Sequence, residues 1–291
     1  MPSVALLLAQ AFNGLALGTL LALVSSGLTI ILGTLGVLNF AHGALFMLGA
    51  YAMFVIAGHT GSFVIGLFGG TVFMLVAGVV LERVLLRWFY GRPPEDQILV
   101  TFGAAIILIE AVRWVFTGQS QHVATPTWGE GVAQLGFLIY PLYRLELIGI
   151  IAVVLVLLYL VLYRTSVGLV VRAGIEDAGM VGILGINVRR AFLVVFAIGV
   201  VAAGVSGMLY APIVSVDPDM GANFLVESFV VIVIGGLGSY PGAVVGGLVA
   251  GEIISITSAF NSAYSEVMLY VVMTLLLVLR PQGLFGAEGR V

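Results

Sequence analysis

Cysteine and lysine are both absent from this 291-residue chain, and only 9% of its residues are charged, against roughly 25% in an ordinary soluble domain. Without cysteine there is no disulfide, no thiolate nucleophile and no sulfur ligand for a metal. The three histidines, His42, His59 and His122, stand too far apart for an HExxH-like metal motif. Without lysine there is no P-loop lysine, no Schiff base and no lysine general base, so the chain is not expected to hydrolyse ATP. The 11 basic residues are all arginine and dispersed, and the net charge is −3. Nothing in that pattern suggests a nucleic-acid surface.

What the chain does have is apolar length: 61% of its residues are hydrophobic, and the first charged residue is Glu82. A crossing takes about 20 residues, so that uncharged stretch can traverse a bilayer three times. The expected fold is an all-α polytopic membrane protein.

Nine apolar segments are predicted, near Ala5–Leu32, Phe40–Ala57, Ser62–Leu86, Ile98–Phe116, Leu147–Tyr163, Ala191–Ile213, Leu225–Gly238, Gly242–Ser258 and Ser265–Leu279. The seventh is short for a span and could be re-entrant. If all nine cross, then Arg83, Arg87, Arg92, Arg164, Arg172, Arg189, Arg190, Arg280 and Arg290 fall on one side. The positive-inside rule makes that side the cytoplasm and puts the N-terminus outside. The N-terminus lacks a basic n-region and reads as a retained helix. Residues 117–146, with Pro126, Trp128 and Pro141, read as a packed outer cap.

Glycine, at 39 residues, recurs at four-residue spacing in Gly14/Gly18, Gly66/Gly70, Gly247/Gly251 and the ladder Gly238, Gly242, Gly246, Ala250. Small faces of this kind let helices approach closely in lipid. The stretch from Gly36 to Ala44 also echoes that from Gly235 to Ala243, with four identities in nine. Paired Gly/Pro interruptions in two halves point to a transporter's binding region.

Between Arg172 and Arg190 the sequence predicts a short amphipathic helix, with Glu176 and Asp177 in its first turn, an apolar face of Met180, Val181 and Leu184, and Gly185 to end it. Glu176, with Ala178 two residues on and Gly182 six on, is similar to the EAA-type loop through which membrane subunits of ABC importers contact their ATPases. An ordinary interfacial helix on lipid headgroups is the alternative.

The chain as a whole resembles the LivH-type permeases of branched-chain (hydrophobic) amino acid ABC importers. The resemblance rests on Gly27–Gly33 with Asn39–Gly43, Thr101-Phe-Gly with Arg113, Glu176-Asp177 through Asn187, Gly235–Ser239 with Pro241-Gly-Ala243, and Arg280–Gly286. It implies a type II-like importer bundle of about eight or nine helices: one transmembrane permease domain over 1–291, with 164–190 as a cytoplasmic coupling-helix loop. It also implies a LivM-type partner permease, two cytoplasmic ATPase subunits and a periplasmic substrate-binding protein, all assembled at a bacterial inner membrane. ATP and Mg would then sit on the partner ATPases, with no cofactor in this chain.

Polar residues within the spans are candidates for the translocation path or gate. Glu252 lies mid-segment with no basic residue within a turn, where a charge costs about 2.5 to 3.5 kcal/mol. Glu227 stands at the outer end of its segment. Asn39, His42, Ser239 and Tyr240 occupy the two echoing bends, towards the cytoplasmic side; capping and contact with a polar solute are both open readings. Ser25, Ser26 and Thr29 should bond nearby carbonyls, and Glu110 should pair with Arg113. Gly204-Val-Ser206-Gly207 has the GxSG form of rhomboid-type proteases, but every histidine precedes it, so it reads as a packing face. The expected function is an importer permease subunit, not an enzyme; a urea or amide ABC permease and an ion-coupled secondary carrier using Glu252 are the rivals.

Overall fold

The computed structural model describes residues 3–136, 138–166, 168–170, 173 and 187–286. Nine long helices stand among them: α1 (Val4–Leu35), α2 (His42–Thr60), α3 (Phe63–Val84), α4 (Pro94–Phe116), α5 (Leu142–Arg164), α6 (Val188–Tyr210), α7 (Gly221–Gly235), α8 (Tyr240–Phe260) and α9 (Ser265–Leu279). A single hairpin, β1 (Val132–Leu135) with β2 (Leu138–Pro141), lies between α4 and α5. Eight of the nine helices are long and apolar enough to span a membrane. The last of these spans, Ser262–Leu279, joins α9 to the single helical turn before it; the exception is α7, whose 15 residues cover about 22 Å, less than a hydrocarbon core.

Local chemistry sets the helix ends. Ser62 accepts from the Ile65 N–H to start α3, and Asn187 accepts from the Arg190 N–H to start α6. Gly61 closes α2 in the left-handed region at φ +66°. α4 begins at Pro94, four residues before the apolar run, because proline suits N1 and Glu95 and Asp96 suit the positive end of the helix dipole.

The chain divides into two compact units, and the division falls within α1, α5 and α7. The unit of residues 26–123 and 156–225 is built on close crossings of α2 and α3 with α6. Gly49 and Gly207 bring the α2 and α6 backbones together: a Cβ at Gly49 would run into the Gly204 carbonyl, and one at Gly207 into the Phe46 carbonyl. On α3, Gly70 receives the Met208 sulfur and Gly78 receives Val200. Ser206 is fully buried in this crossing and donates to the Ala202 carbonyl of its own helix at 2.8 Å. The GxSG stretch is therefore a packing face. Beyond α4, Gln121 and Val216 exchange backbone hydrogen bonds of 2.8 and 2.9 Å.

In the unit of residues 1–25, 124–155 and 226–291, α8 packs antiparallel on α1 through small residues: Gly251 meets Gly14 and Gly18, and Gly247 meets Ala22. Gly242 and Gly246 bring α8 equally close to α7, at Gly235 and Val231. Gly238 lies in the turn and not on this helix face. The β1–β2 hairpin sits on the start of α1, where the Tyr140 hydroxyl and the Arg144 guanidinium both donate to Asn13 Oδ1, at 2.9 and 2.5 Å. Of the expected outer cap over 117–146, these contacts fix the end at Tyr140 and Arg144 against α1. After α9 the chain folds under α7: the Leu284 and Phe285 N–H groups donate to the Ile234 and Gly235 carbonyls at 2.9 Å each. Those are two of the carbonyls that a helix end leaves without partners.

Candidate functional site: two helix breaks and the acids of the spans

In the first break, α1 ends at Leu35, Gly36 turns the chain at φ +66°, and residues 37–41 run irregularly into α2. Irregular backbone is tolerated in a bilayer only where other groups satisfy it. Thr101 does so here: its Oγ1 accepts from the Phe40 N–H at 3.1 Å and lies 3.2 Å from the Leu38 carbonyl. Asn39 Oδ1 accepts from the Ala41 N–H at 3.1 Å, so Asn39 caps the entry to α2. His42 is fully buried, with Cε1 3.2 Å from the place a Cβ would take on Gly27. Gly27 in turn packs on Gly199, the midpoint of α6.

Thr101 lies about 10 Å along α4 from Pro94. The break therefore sits inside the depth that α4 and α6 cross, on the half nearer Pro94 and Val188, and α2 starts at mid-depth. We expect Thr101→Val to cost about 1 to 3 kcal/mol by removing a buried hydroxyl that accepts from the Phe40 N–H. Thermal unfolding of the purified chain reads this, and Thr101→Ser should restore stability; an unchanged Thr101→Val melting temperature would remove Thr101 from this role.

The second break repeats the design. α7 ends at Gly235, Gly236 and Gly238 take φ of +104° and +78°, and α8 begins at Tyr240. Ser239 caps α8 by accepting from the Gly242 N–H at 3.1 Å, and the Tyr240 hydroxyl donates to the Leu155 carbonyl, midway along α5, at 2.6 Å. The structure gives Asn39, Ser239 and Tyr240 these structural partners.

Of the acids, Glu252 lies on α8 with its carboxyl against Gly14, where any side chain would displace it. It faces an apolar groove of about 480 Å³ lined by Leu248, Ile256, Met268 and Val272, and no ion pair reaches it among the described residues. Glu227 on α7 is within electrostatic reach of Glu266 and Tyr270 on α9, a grouping that separate segments do not reveal. Arg113 pairs with Glu110 as expected and also grips both carboxylate oxygens of Asp219, at 2.9 and 3.1 Å. The expectation for Ser25, Ser26 and Thr29 fails: all three hydroxyls are buried and have no hydrogen-bond partner, where such groups on helices often bond the carbonyl a turn earlier. The Asn39 Nδ2 has none either. Among the described residues, no group of three or more His, Cys, Asp or Glu could hold a metal. The proposed ATPase contacts Glu176, Asp177, Ala178, Met180, Gly182, Leu184 and Gly185 lie outside the described residues.

Eight membrane-length apolar spans among the described residues and two helix breaks whose backbone groups are met by neighbouring side chains and backbone define a polytopic membrane protein of the permease type. The family described as branched-chain amino acid transport system / permease component matches residues 10–278, and the chain belongs to that family. It is 32% identical over 295 residues to the high-affinity branched-chain amino acid transport system permease protein LivH of Escherichia coli K12, covering 96% of this chain and 95% of that one. It is 30% identical over 307 residues to BraD, the corresponding permease protein of Pseudomonas aeruginosa, covering 98% of each. No solved structure matches the chain.

Proposed function

We propose that this permease is one half of the translocation path of an ATP-driven importer of branched-chain or closely related hydrophobic amino acids. Its family membership carries the reading, and full-length similarity to two named branched-chain amino acid permease proteins supports it. The other half is a LivM-type permease, a periplasmic binding protein delivers the substrate, and two cytoplasmic ATPases carry ATP and Mg. The missing lysine agrees with hydrolysis on separate chains. The assembly sits in the inner membrane with the N-terminus outside, and the arginine-rich ends of α3 and α6 face the cytoplasm.

ATP binding draws the ATPases together, and the helix at Glu176–Gly185 carries that motion into the bundle. The two helix breaks are where motion can change access, because α2 and α8 begin there without a continuous helix behind them. Asn39 and His42 gate access at the first break, Ser239 and Tyr240 do so at the second, and Glu227 and Glu252 line the path.

Uptake by the reconstituted complex tests the reading: vanadate should stop it and a protonophore should not. Uptake that survives vanadate and collapses with the protonophore would establish an ion-coupled carrier instead. Within the complex, Glu252→Ala should slow uptake about tenfold, equivalent to 1.4 kcal/mol, with co-purification of the subunits unchanged. Full uptake by that variant would take Glu252 off the path.

A further inference from the structure

The richest concentration of charge in the described residues is a cavity of about 690 Å³ at the ends of α3 and α6, and nothing in the transport reading uses it. It is lined by Arg83, Arg87, Arg92, Arg189 and Arg190, with Trp88 at its edge. Glu82 is the single carboxyl in the lining and is buried; burial and the Glu82 charge push the neighbouring Tyr90 phenol well above its ordinary pKa. Arg92 also reaches Asp96 at 3.6 Å, an exposed pair worth little. Arg83, Arg87, Arg189 and Arg190 make no ion pair among the described residues. The cavity thus gathers five guanidinium groups, each able to present a planar fork of donors to phosphate oxygens.

Its position selects the ligand. The face of α3 that leads to it is apolar and exposed, with Val80 at 51%, Val84 at 69% and Trp88 at 63%. That is a lipid-facing surface ending in an interfacial tryptophan, and Arg87 stacks 4.3 Å from the Trp88 ring centre. A ligand held there has a phosphate among the arginines and hydrocarbon along α3. We infer that the Arg83–Arg87–Arg92–Arg189–Arg190 cavity binds the phosphate headgroup of an anionic phospholipid, whose acyl chains lie along α3. A basic pocket between helix ends at the headgroup level is the arrangement such lipids select.

Trp88 reports on the site directly. In the full-length permease with its co-purifying subunits, Trp114→Phe and Trp128→Phe leave Trp88 as this chain's single tryptophan; the same sample lacking tryptophan at Trp88 supplies the background to subtract. Reconstituted into zwitterionic vesicles with a minor fraction of brominated anionic phospholipid, Trp88 should be quenched well beyond that lipid's share of the bilayer. Each arginine multiplies such a preference by about fivefold, so Arg87→Gln with Arg190→Gln should reduce it roughly 25-fold. Arg87→Lys with Arg190→Lys, which keeps the charge, should keep most of it and guards against misfolding. Added inorganic phosphate should leave the quenching unchanged; relief by phosphate would make this a free-anion site and overturn the lipid assignment. Equal quenching by brominated zwitterionic and anionic lipids would overturn it too. So would a glutamine pair that keeps the lipid preference and loses the ATPase subunits, which would assign the cavity to a protein contact.

Discussion

Reversing the charge at Glu176 and Asp177 to arginine is expected to strip the ATPase subunits from the permease and abolish ATP-driven uptake. The helix proposed there offers Met180, Val181 and Leu184 as an apolar face, and burying each such side chain is worth about 1.5 to 3 kcal/mol. A partner groove that accepts this face beside two carboxylates meets two guanidinium groups instead, and wrong-sign juxtaposition at an interface costs several kcal/mol. A loss of several kcal/mol is a thousandfold or so in affinity, enough to separate the subunits during purification. The yield of permease in the membrane is the control for insertion. Unchanged co-purification would contradict the coupling assignment.

The second large effect concerns folding. Alanine at Gly49 places a methyl group on the Gly204 carbonyl, and valine at Gly207 drives into the Phe46 carbonyl. Both obstacles are backbone, so neither can be relieved by a rotamer change; α2 and α6 must separate. Overpacking typically costs about 1 to 3 kcal/mol, and a forced separation of two helices belongs at the upper end or beyond. Either variant should therefore aggregate or be degraded, with a large fall in monodisperse protein by size-exclusion chromatography. Gly58 on the same helix α2 has nothing within 4 Å of an added Cβ, so Gly58→Ala should behave as wild type. If Gly49→Ala melts with Gly58→Ala, the close crossing of α2 and α6 does not limit stability.

These expectations draw unequally on the sequence. The nine helices were legible because apolar runs of membrane length have few alternatives. Their ends were less so where polar residues belong to the helix: α5 starts at Leu142, five residues before its apolar run, because Arg144 turns to Asn13. Small-residue faces were legible as faces, but their partners were not. Gly49 and Gly207 belong to a close crossing in their unit, and nothing in their spacing joins α2 to α6. The two breaks were legible from their glycines and their mutual echo. Thr101, which satisfies the first break from 61 residues away, carried no local signal, and neither did Asp219 as a second partner for Arg113. Contacts of such range depend on how helices assemble. No window of sequence contains them.

The tail that folds under α7 places a condition on the order of synthesis. The Ile234 and Gly235 carbonyls emerge from the ribosome some 50 residues before the amides of Leu284 and Phe285 that satisfy them. Until then the turn into α8 holds two unsatisfied acceptors, and Gly236 and Gly283, both at positive φ, cannot meet backbone to backbone. A chain halted after α9 has all the described helices and an unfinished break. The last described residues therefore complete a turn laid down much earlier in the chain, and without them the Ile234 and Gly235 carbonyls lose their backbone partners.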